Sequence, residues 1–128
     1  MRGIPQSRIK LHQVVNMLKT INIGSKKVKM KASAATPRLY RDILGKDIFA
    51  DYEKLLDIEN TSGSERWSIF ENIAFIMAKQ ADENVPDDIV KWLDSFDGVP
   101  SIADAVGDIF ELWTGNLKTS SESKKKVN

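Results

Sequence analysis

Residues 65–81 read ERWSIFENIAFIMAKQA, and ten of these seventeen side chains are apolar. Phe70, Ile73, Ala74, Met77 and Ala81 fall at i, i+3, i+4, i+7 and i+11, the spacing of one helical face. Trp67, Ile69, Phe75 and Ile76 widen that stripe beyond what a surface helix carries. The pattern predicts a helix covered on most sides: the centre of a small helical domain, or half of a subunit interface. At 1.5 Å per residue it is roughly 25 Å long, about the width of a small domain. Ser62, three residues before Glu65, has the capping-box spacing that starts a helix, and Asp82–Pro86 ends it.

A chain of 128 residues is long enough for one domain with one core. It has no cysteine, which excludes disulfides and thiolate chemistry and points to a reducing compartment. No run approaches the ~18 consecutive apolar residues of a membrane span. Residues 1–16 carry Arg2, Arg8 and Lys10 without an apolar block, so they do not read as a secretory signal. The net charge of +1 hides a strong segregation. Residues 1–41 hold ten Lys/Arg and no Asp or Glu; residues 42–117 hold five Lys/Arg and seventeen Asp/Glu; residues 118–128 hold four Lys and one Glu. A basic arm on one copy is thus complementary to the acidic body of another.

Around the central helix the chain reads as follows. Residues 1–16 are an extension with three readings open. One is a helix capped by Ser7 and running to Lys19, with Ile9, Leu11, Val14, Val15 and Leu18 along it. The others are a short alternating strand at Arg8–Leu11 and a frayed start. Residues 20–31 predict a small β-hairpin, with alternation in Thr20–Ile23 and Lys27–Lys31 and with Gly24-Ser25 as a type II′ turn. Ile21, Ile23, Val28 and Met30 face the body and the lysines face water. Thr36-Pro37 opens a helix, with Thr36 as its cap, that closes at Gly45. Asp47 caps a second with the stripe Ile48, Tyr52, Leu55 and Leu56. Pro86 starts a fourth, with Asp87 and Asp88 in its first turn and Ile89, Trp92, Leu93 and Phe96 along it. Asp97–Pro100 breaks it. Ser101 with Asp104 starts a fifth, which runs through Ile109, Phe110 and Trp113 to a stop at Thr114-Gly115-Asn116. The expected fold is mainly α: about five helices packed around 65–81, with the hairpin at 20–31. Residues 17–117 form a single helical domain, and 118–128, with almost nothing to bury, a disordered basic tail.

Catalytic chemistry finds little footing. His12 is the only histidine, and no serine sits in a G-x-S-x-G elbow. The pairs Asp87/Asp88 and Asp104/Asp108 read as helix caps and solvated faces rather than acid–base pairs or metal ligands. There is no P-loop and no G-x-G-x-x-G. No catalytic residue, cofactor or metal is expected. Lys26, Lys27, Lys29 and Lys31, with the tail Lys124–Lys126, supply the charge that nucleic-acid binding uses. No aromatic residue precedes Tyr40, so no base-stacking platform accompanies them, and a solubilising face and tail is the favoured reading. Trp67, Trp92 and Trp113 sit on three different helices, where core packing is the default and an apolar interface the sharper alternative.

TPRLYRDILGKDIFADYEKL (Thr36–Leu55) resembles the early helical signature of tail assembly chaperones from long-tailed phages (siphophages) of Gram-positive bacteria. FENIAFIMAKQADENVPDDIVKWLDSFD (Phe70–Asp97), followed by Ile109-Phe110-Glu111-Leu112-Trp113, resembles their later part. TINIGSKKVKMKAS looks like the short hairpin on which such proteins often open. The likeness covers about Thr20 to Asn116, and the ordered set of pieces carries it, since every piece is structural. In that family Met17 is a natural start. The resemblance implies a non-enzymatic late protein of the host cytoplasm, absent from the mature virion. It would bind the helix-rich tape measure protein, keep it soluble and assist assembly of the tail tube, with the tail tube protein as a further partner. It would self-associate, and head-to-tail contact gives a ring or spiral rather than a closed dimer. No membrane partner is implied. The rival reading is a small helical nucleic-acid-associated protein using the basic N-terminal arm. A helical client would dock helix-in-groove on aromatic anchors. Tyr40, Trp92, Phe96 and Trp113, all on the flanking helices, are the candidates.

Overall fold

A computed structural model describes residues 18–118. The expected extension over 1–16 and the tail beyond Lys118 lie outside the described residues. β1 (Leu18–Ile23) and β2 (Lys26–Lys31) pair antiparallel, with Ile21 opposite Val28 and Ile23 opposite Lys26. This places Leu18 and Lys19 in a strand, so a helix over the preceding residues cannot reach Lys19. The turn is Gly24-Ser25 alone, and Gly24 has φ +62°, the sign that the first position of a II′ turn requires. A Cβ there would also lie 2.5 Å from Asp97 Oδ2 and 2.6 Å from the Ser101 hydroxyl. Asp97 binds the turn directly, accepting from the Ser25 backbone N–H at 3.1 Å.

Ile21, Ile23 and Met30 are buried and Val28 is half-buried, as the alternation requires. Directly opposed residues share a face, so the register puts Lys19 beside Met30 and Lys26 beside Ile23 on the inner side. Both lysines reach the body at its edge. Lys19 Nζ donates to Glu111 at 2.9 Å, and Lys26 Nζ lies 5.9 Å from the centre of the Phe96 ring. Lys27 and Lys29 face outward, as expected.

Six helices follow: α1 (Thr36–Leu44), α2 (Ile48–Leu56), α3 (Gly63–Ala81), α4 (Ile89–Asp94), α5 (Val99–Asp104) and α6 (Val106–Asn116). α3 is the centre. Ile69, Phe70 and Ile73–Ala78 are buried, and it packs against β2, α1, α2 and α4. Each fully buried Ile or Phe there contributes roughly 1.5–3 kcal/mol. Ser62 is its N-cap, accepting from the Glu65 N–H at 3.2 Å, and the Glu65 carboxylate pairs with Lys54 at 3.6 Å. Gly45 closes α1 with φ +68°, and Asp47 caps α2 by accepting from the Phe49 and Ala50 N–H groups.

Three helix boundaries differ from the sequence pattern. Thr36 lies inside α1, fully buried, because its hydroxyl serves a tertiary network. It accepts from the Ser33 N–H at 2.9 Å and donates to Gln80 Oε1 at 2.6 Å. Gln80 in turn donates to the Ser33 hydroxyl, and Asn116 to the Ser33 carbonyl, tying α1, α3 and α6 to the end of β2. α4 begins at Ile89 with Asp88 as its cap, because Asp87 is drawn away to Lys79 at 2.8 Å. The expected fifth helix is two. α5 begins at Val99, since Pro100 at the start of a helix gives up an N–H that would be unpaired anyway. It ends at Ala105, whose N–H bonds tightly back to Ile102, and Val106-Gly107 restarts the chain as α6.

Candidate functional site

α2 buries Ile48 and Leu55 on its inward stripe, with Tyr52 half-buried between them. Leu56 follows Leu55 directly, which turns it about 100° away from that stripe. It stands 55% exposed at the end of the helix. Ile58, 72% exposed, sits in the turn that Asp57 pins by accepting from the Asn60 N–H at 3.1 Å. These two side chains form the lip of an apolar groove of about 360 Å³. Its walls are Arg66, Trp67 and Phe70 of α3 and Val106 and Phe110 of α6. Gly63 borders it, and a Cβ there would meet nothing within 4 Å.

The walls are held in place. The Arg66 guanidinium donates to the Leu55 carbonyl at 2.9 Å, satisfying an acceptor at the end of α2 and locking α2 to α3. Trp67 lies 5.4 Å from Phe70 and its indole N–H donates to Glu71 at 2.8 Å. Burial pushes the Glu71 carboxyl up, and the indole N–H partly offsets this. Phe110 is braced by Tyr52, 5.8 Å away. Arg66 is the charged side chain among the lining residues, and the neighbouring carboxylates Glu65 and Glu71 are taken by Lys54 and by the Trp67 indole. The arrangement suits an apolar helix face.

The four aromatic candidates lie elsewhere: Tyr40 and Trp113 are fully buried, while Trp92 and Phe96 line a second pocket of about 320 Å³ beside Lys26, Lys27 and Lys29. Tyr40 is fully buried and donates its hydroxyl to Asp51 at 2.7 Å. Burial first, then the Asp51 carboxylate, holds its phenol well above the ordinary tyrosine range. Trp113 is fully buried against Phe49 and Tyr52. Trp92 is 5% exposed, packed on Phe75 at 5.6 Å and on Phe96 at 5.0 Å. Phe96, half-buried beneath Lys26, is the most exposed of the four and shares that pocket with Trp92. Tyr40, Trp92 and Trp113 each lie on the inward stripe of their helix, so core packing takes them. Trp92 and Phe96 come together; Tyr40 and Trp113 join neither.

Leu56 and Ile58 are not among the sequence candidates: the sequence pattern places Leu56 on the inward stripe beside Leu55, and the structure turns it outward at 55% exposed, next to Ile58 at 72%. Among the described residues no three His, Cys, Asp or Glu side chains are grouped to hold a metal, and no helix is long and apolar enough to cross a membrane. No protein-family model, curated protein or solved structure matches the chain.

Proposed function

We propose that the chain is a phage tail assembly chaperone. It receives an apolar helical stretch of the tape measure protein in the α2–α3–α6 groove, keeps that client soluble, and assists assembly of the tail tube around it in the host cytoplasm. The protein itself does not remain in the mature virion. The observation that carries this reading is the exposed pair Leu56 and Ile58 over a wall of Trp67, Phe70 and Phe110. A protein that needed no partner would gain roughly 1.5–3 kcal/mol by covering each of them. The choice of client comes from the family likeness of Thr36–Leu55 and Phe70–Asp97. Self-association belongs to the same proposal, with the basic hairpin of one copy against the acidic body of the next.

Co-expression with the tape measure protein tests it. The wild-type chain should retain the client on an affinity matrix. Leu56→Asp/Ile58→Asp should lose most of that retention while melting as the wild type does, since both side chains already stand in water. Failure of the wild type to retain the client, or full retention by the variant, would overturn the reading. The alternative, a nucleic-acid-associated protein, rests on Lys27 and Lys29 on the outer face of the hairpin. Duplex binding that falls steeply between roughly 50 and 200 mM salt would favour it.

A further inference from the structure

β2 leaves one edge of the hairpin open. The two-residue turn is closed by Ile23 and Lys26, so this pair exchanges ladder hydrogen bonds. In an antiparallel pair, bonded and non-bonded positions alternate. Ile21/Val28 and Lys19/Met30 are then bonded pairs, and Lys27 and Lys29 stand at the non-bonded positions, opposite Asn22 and Thr20. Their backbone N–H and C=O groups therefore point away from β1. Among the described residues no hydrogen bond takes them up.

That edge faces the second pocket, the one of about 320 Å³. Lys26–Lys29 form its β2 side, and no residue of β1 lines it, so it runs along the free edge and not beneath the hairpin. Val85, Pro86, Trp92 and Phe96 make the opposite side apolar. Asp82 is the one carboxylate in the lining, and it accepts from the Asn84 N–H at 2.9 Å. An open strand edge beside an apolar floor is the arrangement that takes an added strand.

The register states what that strand must carry. Directly opposed residues share a face. A residue opposite Val28 turns inward with it, toward Trp92 and Phe96, so it is apolar. Residues opposite Lys27 and Lys29 turn outward beside those ammonium groups, so they are acidic. Lysines on an edge strand block pairing with most strands. Here they exclude a second β2, which would set lysine against lysine, and admit an acidic strand. The chain itself holds an acid–apolar–acid triplet only at Asp51-Tyr52-Glu53 and Asp57-Ile58-Glu59. The first lies inside α2 and the second in the turn pinned by Asp57 and Asn60, so neither is extended.

We propose that the open edge of β2 binds an extended acid–apolar–acid segment of another protein as a third, antiparallel strand. Lys27 and Lys29 supply the backbone hydrogen bonds and the counter-charge, and Val85, Trp92 and Phe96 take the central apolar side chain. The site shares no lining residue with the α2–α3–α6 groove and does not depend on the function proposed for that groove.

The probe is a short peptide alternating glutamate and valine, added to the isotope-labelled full chain at low protein concentration. Amide hydrogen exchange is followed residue by residue by NMR. In the free protein the Lys27 and Lys29 amides should exchange at least about tenfold faster than those of Val28 and Met30, which are paired with β1. Saturating peptide should slow Lys27 and Lys29 by at least about tenfold and leave Val28 and Met30 unchanged. Methylating the glutamate backbone nitrogens keeps the peptide's charge and removes its donors, and should weaken binding at least about tenfold. Lys27→Glu/Lys29→Glu changes two exposed side chains, so it should melt as the wild type does and lose the peptide. A lysine–valine peptide should not bind.

Edge amides that are already as slow as Val28 in the free protein, or a bound peptide that protects neither of them, would overturn the added strand. Equal binding of the methylated peptide would leave a basic patch of the kind nucleic acid uses, and overturns it too. Protection that appears without peptide as the protein concentration rises would give the edge to a second copy and overturn its assignment to another protein.

Discussion

Tyr40→Phe keeps the buried ring and removes one hydroxyl. In the folded protein that hydroxyl is fully buried and donates to Asp51 at 2.7 Å, joining α1 to α2. A hydrogen bond to a charged group contributes about 1.5–3 kcal/mol. Asp51 is half-buried, so water can re-solvate its carboxylate in the variant, and the cost falls toward the lower end, about 1.5 kcal/mol. For a domain of about 100 residues, 1 kcal/mol moves Tm by roughly 4–8 °C, so the midpoint should fall by some 6–12 °C at pH 7. Alkaline pH gives the sharper test. The folded phenol is held protonated well above its ordinary range, whereas in the unfolded chain it ionises near pH 10. Above pH 10 the unfolded state binds fewer protons than the folded one, so the stability contributed by Tyr40 is lost as pH rises, at about 1.4 kcal/mol per pH unit. The phenyl ring of the variant does not titrate. The wild-type advantage of about 1.5 kcal/mol should therefore shrink above pH 10 and vanish near pH 11. Urea unfolding of both proteins by circular dichroism at several pH values from 7 to 11 measures this. A gap that stays constant across the range, or no gap at pH 7, would refute the buried hydrogen-bonded phenol.

Ile73→Asp places a charge at a 2% exposed position in the middle of α3. It should cost several kcal/mol, enough to unfold a domain of ordinary stability, and a soluble variant with an unchanged thermal midpoint would contradict the placement of that helix. Deletion of Lys118–Asn128 removes charge but almost no apolar surface, so the melting temperature should stay within error; a drop of many degrees would show that the tail docks. Sedimentation should show assemblies that grow with protein concentration and loosen with salt, as the Debye length falls to about 3 Å at 1 M. A strict monomer at high concentration and low salt would exclude head-to-tail association.

What the sequence determined by itself is what neighbours along the chain enforce. The caps of α2 and α3 depend on Asp47 and Ser62 meeting N–H groups two or three residues away. The hairpin depends on a glycine at the one turn position with positive φ, and the central helix on a stripe too wide for a surface. Those are short-range matters of backbone sterics and periodicity, and they were legible. Only the tertiary structure decided which apolar residues were left over. Trp113, Trp92 and Tyr40 are the largest and most interface-like side chains on their helices, yet the stripes that carry them meet α3 and its neighbours and vanish inside. Leu56 and Ile58 look no different from core residues in the sequence, yet they stand in water because α2 ends one step off its stripe. Thr36 gave up its expected capping place for Gln80, forty-four positions away, and Asp87 was drawn from its helix by Lys79. The groove shares this origin. It is bounded by α2, α3 and α6, and exposure there is a property of how three helices meet, which no local pattern encodes.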